Sequence, residues 1–90
     1  MTLGDAIEHY LKSNKMYARF MAQEIIAAWP IVMGANIARH TVDLQMSRGV
    51  LSVRLNSAVL RKELDMGKEK IVLMLNEHVK MQVVNTVRFF

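Results

Sequence analysis

His9, His40 and His78 are the side chains of this chain best suited to moving protons or ligating a metal. They fall on three different predicted elements and show neither H-x-x-x-H nor H-E-x-x-H spacing, so no local metal motif unites them. The chain has no cysteine, which removes thiolate ligands, disulfides and cysteine nucleophiles. Asp5, Glu8, Glu24, Glu63, Asp65, Glu69 and Glu77 lie on predicted helices among basic neighbours. They read as solvated helix surface, because general acid–base work needs apolar surroundings that none of them has. No phosphate-binding loop, dinucleotide fingerprint or nucleophile elbow is present. These residue types point away from an enzyme and imply no cofactor and no metal.

The basic residues are the other chemistry on offer. Twelve Lys and Arg stand against eight Asp and Glu, a net charge of +4. Residues 51–90 hold seven of the twelve, so the excess leans toward the C-terminal half. A mild positive balance favours an anionic partner, although scattered solubilising charge has the same composition. Hydrophobic residues make up 52% and charged residues 22% of the 90, a globular balance that excludes a disordered tail. The length suits one domain over residues 1–90. No run of uncharged apolar residues is long enough to span a membrane, and Asp5 and Glu8 interrupt any signal-peptide pattern. A small chain of this kind, unstapled by disulfides, is expected in the cytoplasm.

The elements that must position these side chains follow from periodicity. Leu3, Ala6, Ile7, Tyr10 and Leu11 form one helical stripe, with Thr2 as its cap. Tyr17, Phe20, Met21, Ile25, Ala28, Trp29 and Val32 form a second. Pro30 lacks a backbone donor and disfavours helix at Trp29, so a helix over about 16–28 is predicted, with a kink and a restart to about Arg39. At Thr41 the period changes to two. Val42, Leu44 and Met46 alternate with polar residues, as do Leu51, Val53 and Leu55, which predicts a β-hairpin with Arg48-Gly49 at its tip. Face matching pairs Met46 with Leu51, Leu44 with Val53 and Val42 with Leu55. A two-residue tip favours positive φ, which Gly49 tolerates better than Arg48, and a slightly longer loop is the alternative. Asn56 or Ser57 caps a third helix marked by Leu60, Leu64, Ile71, Leu75 and Val79, bent at Gly67. Met81 to Phe90 reads as a last strand, beside either the first or the second. The fold class is α+β, with helices on one face of a three-stranded mixed sheet in the order α-α-β-β-α-β.

The uncovered sheet face is then expected to carry Thr41, Asp43, Gln45, Ser52, Arg54, Val84, Thr86 and Arg88. Arg54 and Arg88 project from the same side, Arg48 stands at the tip, and Arg61 and Lys62 lie on the third helix. These five are the candidate nucleic-acid-binding residues, because guanidinium and ammonium groups can track a phosphate backbone. Val50, Val84 and Phe90 form a candidate partner-binding patch on the same face. Tyr10, Tyr17, Phe20, Trp29 and Phe89 occupy apolar stripes and read as core. Met33, Met46, Met66, Met74 and Met81 read as core filling, the sharper alternative being an adaptable partner surface.

The ordered set of residues resembles one family. Trp29-Pro30-Ile31-Val32-Met33-Gly34 and Ile37-Ala38-Arg39-His40-Thr41 are similar to the W-x-x-I-V-G-x-x-I-A-x-H-T stretch of the DciA-like domain. Gly49-Val50-Leu51-Ser52-Val53 is similar to its G-x-L-x-V strand. The helix start from Ser57 to Glu63-Leu64, the Leu75-Asn76 pair and the closing Val87-Arg88-Phe89 follow in the same order. The resemblance covers roughly residues 3–90. It implies a KH-like fold and a role in bacterial DNA replication, in which the domain binds the replicative DNA helicase and helps load it. The G-x-x-G loop of KH nucleic-acid domains is absent, so DNA contact falls to the sheet and the basic residues.

Two functions are therefore expected in competition. The first is a non-enzymatic replication accessory module that binds the replicative helicase and, weakly and without sequence preference, DNA. The second is a protein-interaction or self-association module, such as a homodimer, that uses the open face and has no nucleic-acid role. A KH-type RNA binder is a third reading, disfavoured by the missing loop.

Overall fold

Residues 15–90 are described by the computed structural model. The stripe from Leu3 to Leu11 lies outside the described residues. Helix α1 (Lys15–Met33) continues past Pro30, and the short α2 (Ala35–Arg39) follows. The break expected at Trp29-Pro30 is therefore displaced to Gly34, which has φ 90°. A single missing donor leaves the rest of the helix ladder intact, as the Gly34 N–H donating to the Pro30 carbonyl illustrates. A positive φ, in contrast, ends an α-helix outright. Nothing lies within 4 Å of a Cβ built at Gly34, so its role is conformational and not one of close packing.

Strands β1 (Thr41–Ser47) and β2 (Val50–Leu55) form the hairpin. Leu44 pairs with Val53 and Met46 with Leu51, as face matching predicts. Ser47 pairs with Val50, leaving Arg48-Gly49 as a two-residue turn with φ 51° and 79°. Positive φ at both positions is the signature of the turn whose twist matches the strands. The far end departs from expectation. Thr41, not Val42, lies opposite Leu55, and a β-bulge separates Thr41 from Asp43. The extra residue sends Val42 to solvent at 60% exposure and turns Thr41 inward. There the Thr41 hydroxyl accepts from Trp29 Nε1 at 3.0 Å and donates to the Ile37 carbonyl at 2.9 Å, tying α1, α2 and β1 together.

Ser57 caps α3 (Ala58–Met66) by accepting from the Leu60 N–H, and Gly67 separates α3 from α4 (Lys68–Val79). Strand β3 (Thr86–Phe89) is shorter than the run expected from Met81. It lies parallel to β2, with Ser52 opposite Arg88 and Val53 opposite Phe89, so the sheet order is β1-β2-β3. A parallel neighbour requires a crossover, which α3 and α4 supply. Among the described residues, with α3 and α4 taken as one helix bent at Gly67, the order is α-α-β-β-α-β, and the fold is KH-like.

The core lies between the helices and one sheet face. Leu51, Val53, Leu55 and Val87 meet Ile25, Ala28, Trp29, Ile71 and Leu75. Trp29 packs on Phe89 with ring centroids 6.2 Å apart. Val84 also belongs to this core at 0% exposure, which corrects its expected place on the open face. The reason is Asn76, the one buried polar residue among those described. Its side-chain oxygen accepts from the Val83 and Val84 N–H groups at 2.9 and 2.8 Å, and its Nδ2 donates to the Val84 carbonyl at 2.9 Å. Val83 and Val84 are thus held by a side chain instead of a strand ladder. Phe20, expected in the core, is 58% exposed, and Met66 is 79% exposed.

Candidate nucleic-acid and partner interface

The register determines which side chains share the uncovered face of the sheet. Side chains alternate along a strand, so Val50, Ser52 and Arg54 of β2 share a face, and parallel pairing places Thr86 beside Val50 and Arg88 beside Ser52. Antiparallel pairing adds Asp43 opposite Arg54 and Gln45 opposite Ser52. The face is polar because each of these residues alternates with a core residue on its own strand. Phe90 continues the β3 ladder: its N–H donates to the Val53 carbonyl at 2.9 Å, and its carbonyl accepts from the Leu55 N–H at 2.8 Å. Phe90, 48% exposed, forms a shallow depression with Asp43, Gln45, Ser52 and Arg54.

Arg54 and Arg88 are both exposed on this face, and no described helix covers them. Among the described residues neither makes an ion pair; the one pair present, Lys68 to Asp65 at 3.9 Å, is at the surface between α3 and α4. Among the described residues Asp43 is the only carboxylate on the face, and Gln45 Nε2 donates to it at 3.3 Å. The face can therefore offer two guanidinium groups, one aromatic ring and amide and hydroxyl groups to a ligand. That donor set suits phosphates and a flat apolar group.

The other three basic candidates are not brought to this face. Arg48 stands at the hairpin tip, and Arg61 and Lys62 belong to α3, whose Leu60 and Leu64 pack on the helix side of the sheet. Of the expected partner patch, Val50 is half-buried and Phe90 exposed, while Val84 is withdrawn into the core. Thr41, also expected here, faces inward because of the bulge.

A second concave surface was not anticipated from sequence. It is a groove of about 420 Å³ between the N-terminal turns of α1, the hairpin tip and residues 81–85. Met21, Met46, Met81 and Val83 line it, with Arg19 and Arg48 beside them. The methionine content was the only sequence signal for it, since its walls come from three separate segments.

His9 lies outside the described residues, and His40 and His78 belong to no metal-binding cluster among those described. His40 Nδ1 lies 2.8 Å from Asn56 Oδ1, and its carbonyl accepts from the Asn56 N–H, a local clamp between the start of β1 and the end of β2. Among the described residues no cluster of His, Asp and Glu is arranged to hold a metal ion, and no helix is long and apolar enough to cross a membrane. No described buried side-chain nitrogen or oxygen lacks a hydrogen-bond partner.

In comparison with known proteins, the family described as "Dna[CI] antecedent, DciA" matches residues 2–89, nearly the whole chain. No curated protein matches it.

Proposed function

Because this chain belongs to the DciA family, which serves DNA replication as accessory and helicase-loading proteins and not as a known enzyme family, we propose that it binds the replicative DNA helicase and, weakly and without sequence preference, DNA. The observation that carries the DNA part is the pairing of Ser52 with Arg88 and of Asp43 with Arg54, which puts two exposed guanidinium groups on one uncovered sheet face. Contacts from these groups to phosphates position a nucleic acid without carrying sequence information, so binding without sequence preference is expected. Arg48, Arg61 and Lys62 add to the positive field around the molecule without sharing that face. No nucleotide-binding motif accompanies them, so help in loading proceeds through binding energy alone.

DNA affinity measured against salt tests this reading. The affinity of the wild-type chain for an oligonucleotide falls steeply as salt rises. Arg54→Ala with Arg88→Ala weakens binding and lowers the slope of log affinity on log salt by about 1–2, at roughly 0.7–0.9 for each phosphate that is no longer neutralised. Salt-independent binding, or none at low salt, overturns the DNA part. Pull-down with the purified replicative helicase, with and without ATP, tests the other part, and failure at micromolar concentrations overturns it. Light scattering separates the self-association alternative: a stable dimer that buries Val50 and Phe90 would leave Arg54 and Arg88 unavailable.

A further inference from the structure

We propose that the methionine-lined groove at the hairpin tip is a docking site for an acidic, apolar-bearing peptide segment of a protein partner. The groove continues the core outward. Met46, opposite Leu51 at the end of the sheet, and the buried Met21 of α1 form its floor, and Met81 and Val83 close its side. Thioether side chains are flexible and polarizable, so a floor built of them adapts to different apolar residues. Its volume, about 420 Å³, accommodates a few side chains and not a folded domain. No buried polar atom is left unpartnered among the described residues there to orient a small molecule.

Charge identifies the occupant. Arg19 and Arg48 flank the floor, no carboxylate lines it among the described residues, and neither arginine makes an ion pair among them. An apolar floor with cationic flanks complements an amphipathic segment with apolar residues on one face and Asp or Glu beside them. It does not suit DNA, because a methionine floor offers phosphates no donor.

The groove wall is also preorganised. Arg48 adopts φ 51°, a conformation costly for a residue with a Cβ, and this fixes where its side chain leaves the tip. The Gly49 carbonyl accepts from the Asn85 N–H at 2.7 Å and the Thr86 N–H at 3.2 Å, locking the tip to residues 85–86. A Cβ at Gly49 would collide with the Asn85 side-chain amide, so glycine suits this approach as well as the positive φ. The Tyr17 hydroxyl donates to the Met81 sulfur, joining α1 to the opposite wall.

This inference rests on the reading that the chain engages the replicative helicase, so the test has two arms. In one, Gln82, exposed at the groove edge, is replaced by p-benzoylphenylalanine and the full chain is photolysed with purified helicase. In the other, a synthetic amphipathic peptide with leucines at i, i+3, i+4 and i+7 and glutamates elsewhere is titrated against the full chain. Its control carries lysines in place of the glutamates. The proposal expects a crosslink to an acidic segment of the helicase and binding of the acidic peptide only. Arg19→Glu with Arg48→Asp, both at exposed positions, is expected to weaken each interaction about tenfold. Helicase binding that the double variant leaves unchanged overturns the groove and spares the helicase reading. Acidic-peptide binding without helicase binding does the reverse. Failure of both arms, equal binding of the two peptides, or a crosslink only to residues 1–14 or to a second copy of the chain overturns the groove.

Discussion

The two faces of the sheet are built from the same strands and obey opposite rules. On the inner face Leu51 and Val53 are fully buried and packed against the helices. On the outer face, one residue along in each case, Ser52 is half-buried and Arg54 exposed. The core beneath the inner face holds a polar side chain, Asn76 of α4, whose oxygen and nitrogen both find backbone partners. The outer face holds its charges without ion pairs among the described residues. Stability is therefore concentrated on one side and ligand chemistry on the other. Substitution on one side should leave the other property nearly unchanged.

That division can be broken, or sharpened, by a graded series of variants. Asn76→Leu should have the largest effect. It leaves the Val83 and Val84 N–H groups and the Val84 carbonyl unpaired, at about 1–3 kcal/mol per buried group. Chemical denaturation should record a destabilisation of at least about 3 kcal/mol. Leu51→Ala comes next, at about 2–5 kcal/mol by the same measurement, because it opens a cavity at a fully buried position. Gly49→Ala should cost about 1–2 kcal/mol from positive φ, with the exposed Asn85 amide turning aside. Arg54→Ala and Arg88→Ala should change stability by less than about 0.5 kcal/mol while reducing the salt-dependent affinity for DNA. A destabilisation of about 2 kcal/mol or more in the arginine variants would mean that the outer face is part of the scaffold and not a free surface.

Much of this arrangement was legible in the sequence. The change of period at Thr41 located the hairpin, and alternation placed Leu44, Met46, Leu51 and Val53 inside. The same alternation put Arg54 and Arg88 on one outer face before any strand order was known. What escaped were features created by single residues acting at a distance. Val42 fits the alternation, yet Thr41 takes its place because the Ile37 carbonyl of the preceding helix and the Trp29 ring N–H offer its hydroxyl a partner in each direction. Val84 fits a strand pattern, yet a side chain from α4 captures its backbone first. Phe20 fits the helical stripe, but the described neighbours leave it exposed.

Local patterning by itself determined the α+β class, the hairpin register near its tip, the Ser57 cap and the sidedness of the arginines. Each depends on residues a few positions apart, where periodicity and backbone sterics decide the outcome. Tertiary structure alone decided that β3 joins β2, that Val84 is buried, and that three methionines and two arginines from separate segments meet at one groove. Those outcomes depend on which distant groups satisfy one another's hydrogen bonds and fill one another's space, and no spacing along the chain encodes that.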